Sequence, residues 1–150
     1  MLKTPILHPQ LLAVLGRIGH SSKILIADGN YPFATKKHPD AEIVHLNFAP
    51  GMLLVTDVLK PLLDTIPIEQ AEVMEPMKTG PYAMKVDPPI FDDFRGIIRD
   101  KGYATLELTK IERFAFYDAA AARDVALVIA TGEQRIYANL LLTVGVVMPK

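Results

Sequence analysis

Short apolar runs alternate along the chain with segments whose apolar residues recur every three or four positions. The runs are brief and bounded by turn residues, which is typical of buried β-strands. Five runs predict strands: residues 23–27, 42–46, 71–75, 103–108 and 125–131. Four segments with helical spacing predict helices: residues 9–19, 51–66, 89–101 and 111–122.

Proline and glycine set the expected ends of these helices. Pro9 suits the first turn of the first helix, and Gly19 follows its last apolar residue. Pro61 should kink or end the second helix, and Gly102 should stop the third. The tail, residues 137–147, is predicted to be a strand with a turn or bulge at its glycine.

The order of these elements predicts the fold class. Strands that alternate with helices, several of them apolar throughout, indicate an α/β fold with a mainly parallel sheet and helices on both faces. A chain of 150 residues suits one compact domain, residues 1–150, and neither an internal repeat nor a linker interrupts it.

Composition narrows the class of protein further. Half of the residues are hydrophobic, so disorder is not expected, and the net charge of −1 argues against nucleic-acid binding. Cysteine is absent, which fits a reducing compartment. We expect a cytoplasmic protein without membrane association, because the first residues lack signal-peptide features and no run of about 18 apolar residues occurs.

Several common catalytic motifs are missing. The sequence has neither a phosphate-binding loop of the G-x-x-x-x-G-K-[ST] type nor G-x-G-x-x-G after a strand, and it lacks the serine motif G-x-S-x-G. The four histidines are scattered without metal-ligand spacing. We therefore expect chemistry without a cofactor, carried by histidine, carboxylate, arginine, tyrosine and asparagine side chains.

Polar residues follow the predicted strands at four places. Asp28 ends the first strand, residues 112–113 open the last helix, and residues 131–133 and 137–139 follow the last buried strand. Open parallel sheets bind ligands beyond the carboxyl ends of their strands. These groups could therefore converge on one polar pocket, in which Asp and Asn would bind sugar hydroxyls and Arg would add donors.

Each of these residues also has a purely structural interpretation. His20 could finish a helix, where a cation meets the negative end of the dipole. Asp28 could belong to an ordinary turn, and Arg113 could pair with Glu112 at the surface. Residues 137–139 could be edge-strand or turn residues. The aromatic residues of the last helix are interpreted as core packing: Phe114, Phe116 and Tyr117.

Three segments resemble the signature regions of the L-fucose mutarotase and D-ribose pyranase (RbsD/FucU-like) family: GHSSKILIADGNYP, IERFAFYDAA and TGEQRIYANLLLTVGV. The resemblance covers residues 2–32 and 111–147 in the family's order and spacing. It implies an α/β fold, ring-shaped homo-oligomers with a decamer as the expected size, no metal or nucleotide cofactor, and interconversion of sugar anomers or ring forms.

The resemblance also assigns roles by position. His20 resembles the family's catalytic histidine, Asp28 its substrate-binding aspartate, and Arg113 the arginine of the fucose branch. The segment that holds the sugar corresponds to Tyr137, Ala138 and Asn139. Because ring opening needs one group that takes a proton and another that gives one, Tyr137 is the candidate second proton-transfer group beside His20.

The residues that bear on the choice of substrate do not all indicate the same branch of the family. Arg113 followed by FAFY resembles the fucose branch, whereas Ala138 within YAN looks more like the ribose branch. Asn30 stands where the fucose-type proteins have histidine. We expect L-fucose or a related pyranose. The alternatives are a D-ribose pyranase, a non-catalytic sugar-binding or transport-accessory protein, and a nucleotide-binding regulatory domain, against which the missing glycine-rich loop counts.

His20 and Asp28 lie on either side of the first predicted strand. An extended strand rises about 3.3 Å per residue, so their side chains should be on the order of 20 Å apart. One monosaccharide cannot touch both. Either Ser21 and Ser22 fold the chain back toward the pocket, or a neighbouring subunit supplies His20. We predict the second arrangement, with the site at a subunit interface.

Overall fold

Four helices and six strands alternate along residues 1–149, the part of the chain that the computed structural model describes. In chain order they are α1 Pro9–Leu15, β1 Lys23–Ala27, β2 Glu42–His45, α2 Val55–Leu63, β3 Ile68–Met74, α3 Ile90–Asp100, β4 Leu108–Ile111, α4 Arg113–Ala120, β5 Val125–Ala130 and β6 Leu140–Val144.

All six strands form one mixed sheet in the order β2-β5-β1-β6-β3-β4. The pairs β1/β5, β2/β5 and β3/β4 are parallel, whereas β6 runs antiparallel to both of its neighbours. The predicted α/β class with a mainly parallel sheet is therefore confirmed. Because Ile26 of β1 pairs with Leu140 of β6, the residues just after β1 meet the residues just before β6 at one sheet edge.

Both faces of the central strands are covered. Ile24 and Leu25 point to opposite faces, and neither is exposed to solvent. The helices contribute large apolar side chains to the core, among them the fully buried Phe91, Phe94 and Phe116. The apolar runs of β1, β5 and β6 thus reflect strands covered on both sides.

Two helices end differently from the prediction. The first stops at Leu15, where the N–H of Gly16 bonds the carbonyl of Leu12, rather than near Gly19. The second begins only at Val55 and continues through Pro61 to Leu63. A proline within a helix removes one backbone donor, and two further helical residues follow it here.

The fourth strand is displaced from its predicted position. Gly102, with φ +95°, ends α3 as predicted. The next residues form turns instead of a strand, and the hydroxyl of Tyr103 accepts a hydrogen bond from the N–H of Ile68. The strand begins at Leu108, so the prediction for residues 103–107 is wrong.

No helix within residues 1–149 has both the length and the apolar character needed to cross a membrane.

Candidate active site

A buried carboxylate and a buried amide meet where β1 ends and β6 begins. Asn139 Oδ1 accepts a hydrogen bond from the backbone N–H of Asp28 at 2.9 Å, and Asn139 Nδ2 donates to Asp28 Oδ2, also at 2.9 Å. Asp28 and Asn139 are only 3% and 5% exposed. The antiparallel orientation of β6 makes this contact possible, because β6 begins at the edge of the sheet where β1 ends.

The surroundings of Asp28 favour its protonated form. Burial is the main cause, and it raises the pKa of the carboxyl to about 6. Hydrogen bonds from the Asn30 and Ala138 backbones and from the Asn139 side chain act in the opposite direction. Asp28 Oδ1 accepts the N–H of Asn30 at 2.9 Å, so the turn expected from the sequence is present alongside the contact with Asn139. Near neutral pH, both protonation states of Asp28 are accessible.

The pair opens onto a cavity of about 320 Å³. This volume lies at the small end of the range for small-molecule pockets, roughly 300–1,000 Å³. Its lining combines polar and apolar side chains: Asp28, Asn30, Tyr31, Met74, Tyr82, Arg113, Tyr117, Ile136, Tyr137 and Asn139.

Arg113 reaches the cavity from the first position of α4. Glu112 does not form the expected surface ion pair with it. Its carboxylate instead accepts the backbone N–H groups of Phe114 and Ala115, which makes Glu112 the N-cap of α4 and starts the helix at Arg113. The Arg113 guanidinium contacts the sulfur of Met77, and its Nε lies buried without a protein partner.

Tyr137 lines the same cavity in an unusual backbone conformation, with φ 61°. Its hydroxyl accepts the backbone N–H of Met77 at 3.1 Å and donates to the carbonyl of Tyr82 at 2.8 Å. Ala138 is fully buried between Tyr137 and Asn139. Residues 137–139 precede β6, so the strand predicted for the tail begins only at Leu140.

Aromatic residues of α4 have three different positions. Phe116 is fully buried, as expected for a core residue, whereas Phe114 is 69% exposed, so its assignment to the core is wrong. Tyr117 lines the cavity and packs on Tyr31, with ring centroids 5.8 Å apart.

The sequence reasoning missed Tyr31, Tyr82 and Tyr117 as pocket residues. A tyrosine next to the Asp-Gly-Asn turn was the available signal for Tyr31, because it follows Asp28 by three positions.

Residues 131–133 bond the backbone on either side of Asp28 but do not line the cavity. Thr131 Oγ1 donates to the carbonyl of Ala27, and the carbonyl of Glu133 accepts the N–H of Gly29. The Glu133 side chain is 1% exposed and pairs with Arg135 at 2.6 Å. Although burial opposes it, the hydrogen bonds and charge of Arg135 lower the pKa of Glu133.

His20 lies at the opposite edge of the sheet. The N–H of the next residue, Ser21, bonds the carbonyl of Val144 at the far end of β6, so the chain does not fold back toward the cavity. His20 Nε2 is 3.0 Å from Glu69 Oε2, and both side chains are about half exposed. Because α1 ends at Leu15, His20 does not cap a helix. Four of the predicted site residues therefore meet at the cavity within one chain: Asp28, Arg113, Tyr137 and Asn139. His20 is separate from them.

Within residues 1–149, the His, Asp and Glu side chains form no group of three or more that is suited to holding a metal ion.

The chain matches the RbsD / FucU transport protein family over residues 1–147. It belongs to that family. A human fucose mutarotase is 34% identical over 142 residues, which cover 94% of this chain and 90% of the human protein.

Two solved structures share the fold. A fucose mutarotase from Streptococcus pneumoniae in complex with L-fucose has a TM-score of 0.83 and 25% identity, covering 99% of this chain and 100% of that chain. RbsD from Bacillus subtilis, complexed with D-ribose, has a TM-score of 0.75 and 24% identity over the same shares. The curated RbsD/FucU relatives confirm the predicted enzyme class, an isomerase of the mutarotase type.

Proposed function

We propose that this RbsD/FucU protein is a cofactor-independent monosaccharide mutarotase, which interconverts the anomers of a pyranose, with L-fucose or a close relative as the first candidate. The observation that carries the proposal is the buried Asp28–Asn139 pair, which faces a cavity also lined by Arg113. The similarity to proteins named fucose mutarotase supports the same assignment.

The reaction consists of proton transfers around one bond cleavage. The anomeric hydroxyl loses a proton while the ring oxygen gains one, the bond between the anomeric carbon and the ring oxygen breaks, and a carbonyl forms. The open chain then recloses on either carbonyl face with the two proton-transfer roles exchanged. Because free sugars already interconvert slowly in water, acid–base help of roughly 10²–10⁴-fold is a sufficient catalytic contribution.

Asp28 and Asn139 would hold sugar hydroxyls, and Arg113 would orient a ring or hydroxyl oxygen. The raised pKa of Asp28, about 6, also makes this carboxyl able to accept and return a proton near neutral pH. Tyr137, the second proton-transfer group expected from the sequence, shares the cavity. The single proton of its hydroxyl is donated to the carbonyl of Tyr82, so the second proton-transfer role is assigned to Asp28 and not to Tyr137.

His20 is proposed to act in the pocket of a neighbouring subunit. In its own chain, β1 separates His20 from Asp28 by on the order of 20 Å, and the imidazole is exposed at the sheet edge. A heterologous contact, which repeats to close a ring, sets one subunit's edge against another subunit's face. An imidazole can both accept and donate a proton, so His20 could supply acid and base in turn. The complete site would then lie at a subunit interface of a homo-oligomeric ring.

The apolar part of the lining supports a 6-deoxy pyranose ahead of ribose. Met74 and Ile136 line the cavity together with tyrosine rings, and the methyl group of a sugar such as L-fucose would gain from contact with them. Ribose has no such methyl group. Ala138 resembles the ribose branch and favours a D-ribose pyranase as the second candidate, and Asn30 departs from the histidine of the fucose branch.

Exchange NMR on a panel of sugars tests the proposal, because it reports anomer exchange directly. Chelator-treated protein should accelerate exchange of L-fucose or a related pyranose, and should act more slowly on the pyranose–furanose conversion of ribose. Faster ribose conversion would reverse the choice of substrate. Activity that vanishes with chelator and returns only with added metal would contradict the mechanism. Binding without any acceleration would identify a sugar-binding protein instead.

A further inference from the structure

The segment between β3 and α3, residues 75–88, contains neither helix nor strand and contributes Tyr82 to the wall of the cavity. Pro76 and Pro88, near its two ends, are buried, whereas residues 78–83 are all exposed. Met84 packs against the core, and Asp87 pairs with Arg95 and Lys110. Residues 78–83 have no comparable burial and gain little stability from packing. The position of residues 78–83 over the cavity therefore depends on specific contacts with the rest of the chain.

Tyr82 lies in the exposed middle of this segment and still lines the cavity. The residue is 59% exposed, so core packing does not fix its ring. If residues 78–83 moved away from the body of the protein, the cavity would lose this wall.

The hydroxyl of Tyr137 joins the segment to the body of the protein at two points. It accepts the N–H of Met77 and donates to the carbonyl of Tyr82, so one side chain fixes the backbone on both sides of residues 78–81. Tyr137 itself is 7% exposed. Its φ of 61° lies in the left-handed region, which a bulky side chain adopts at a cost. Such conformations persist where the surrounding structure holds them.

We propose that Tyr137 is a positioning residue, whose hydroxyl fastens residues 75–88 over the cavity and thereby holds Tyr82 as a wall of the sugar site. This inference rests on the proposed function for the identity of the ligand, and the fastening itself rests only on the contacts of Tyr137. It assigns to the buried hydroxyl a role in substrate affinity. Proton transfer would require the hydroxyl to give up its bond to the Tyr82 carbonyl, because a phenol has a single proton to donate.

Limited proteolysis of Tyr137→Phe tests the fastening, because Lys78 and Lys85 are trypsin sites within the segment. Loss of two hydrogen bonds, each of modest net strength, should speed cleavage at these lysines by about tenfold. The dissociation constant for the sugar, from NMR titration, should rise by a similar factor. The turnover rate at saturating sugar should change by less than about threefold.

Two further variants make the result specific. Tyr103→Phe is the matched control, because the hydroxyl of Tyr103 also bonds a backbone N–H, that of Ile68, outside the cavity lining. It should leave cleavage and sugar affinity unchanged even if melting temperature falls. Tyr82→Ala keeps the backbone carbonyl that Tyr137 bonds, so it should weaken sugar binding without faster cleavage.

Two outcomes would overturn the inference. One is cleavage of Tyr137→Phe at Lys78 and Lys85 within twofold of the wild type. The other is a fall in turnover with the dissociation constant unchanged, which identifies Tyr137 as a proton-transfer group. If no sugar in the panel binds the wild type, the proposed function fails, and the cleavage comparison still decides whether Tyr137 fastens the segment.

Discussion

Asp28 and Asn139 exchange two hydrogen bonds of 2.9 Å across 111 positions of sequence, one through the Asp28 backbone and one through its carboxylate. The contact fixes the amide of Asn139 with its oxygen toward a backbone donor and its nitrogen toward the carboxylate. It also joins the end of one central strand to the start of its neighbour. A change at either residue should therefore affect both the chemistry of the cavity and the stability of the sheet.

Stability should depend on pH through Asp28. Its pKa is about 6 in the folded protein against 3.8 ordinarily, so the folded state binds more protons between these values. The Asp28 contribution to the free energy of unfolding should be fully present below about pH 4 and fall as pH rises to about 6. At about 1.4 kcal/mol per pKa unit, the fall is at most about 3 kcal/mol.

Denaturant unfolding of the wild type and Asp28→Asn at pH 4 to 8 measures this contribution. As pH rises across this range, the free energy of unfolding of the wild type should fall relative to that of Asp28→Asn. A difference independent of pH would show that Asp28 titrates at its ordinary value. In the wild type, the exchange rate should rise with pH through about 6 if the carboxylate is the form that accepts the proton.

Subunit mixing should reveal a shared site. His20→Ala and Asp28→Ala proteins should each be nearly inactive, with His20→Ala keeping most of its sugar affinity. Co-refolded mixtures should regain part of the wild-type exchange rate, because some interfaces would combine an intact His20 with an intact Asp28. Native mass spectrometry checks that mixed oligomers form. Mixed oligomers that stay inactive would place both residues in one chain's site.

Gly132 should not tolerate a side chain. An added Cβ would lie 2.2 Å from the carbonyl oxygen of Met52 and 2.3 Å from that of Ala49, and backbone atoms cannot easily retreat. Gly132→Ala should cost at least about 2 kcal/mol of unfolding free energy. Gly96→Ala is the matched control, because a Cβ there meets nothing within 4 Å and alanine favours the interior of α3. It should stabilise the protein by about 0.5–1 kcal/mol. Equal effects of the two substitutions would contradict this prediction.

Glu133→Gln should destabilise the protein by about 2 kcal/mol, because it removes the charge of a buried carboxylate that binds Arg135 through two of its nitrogens. The pKa of Glu133 is lowered, so its stabilisation is present above the ordinary carboxyl range and is lost as pH falls below it. Thermal melts at pH 7 and pH 3 should show the two proteins converging in acid. Asp92→Asn removes an ion pair with Arg95 whose aspartate is 84% exposed, and it should have little effect at either pH.

The sequence was a good guide where local pattern decides structure. The strand Lys23–Ala27 matches its predicted bounds, because an apolar run between turn residues has few alternatives. Residues 103–107 were misassigned because their strand-like composition could not reveal that the Tyr103 hydroxyl bonds the amide of Ile68 on another strand. That contact is set by tertiary packing, which local pattern does not encode.

The residues of the candidate site also divide into those that local sequence pattern predicts and those that it does not. Four pocket residues could be predicted because they lie next to the ends of helices or strands at the carboxyl edge of the sheet: Asp28, Arg113, Tyr137 and Asn139. Tyr82 was missed because it lies in a loop. Neither hydrophobic periodicity nor the position of a strand end indicates where the side chain of a loop residue points. The separation of His20 from Asp28 could be estimated from strand length alone.

The position of β6 has a consequence for how the protein is made. This strand comes last along the chain but lies between β1 and β3, and it is the strand that joins β2, β5 and β1 to β3 and β4. During synthesis on the ribosome, the earlier strands therefore exist for a time as two separate groups with unpaired central edges. The full sheet, and with it the contact between Asp28 and Asn139, can form only after residues 140–144 have emerged from the ribosome. Strand edges left open in this way invite pairing with other chains, so a stall in translation before β6 should leave a nascent chain that depends on chaperones to stay unaggregated.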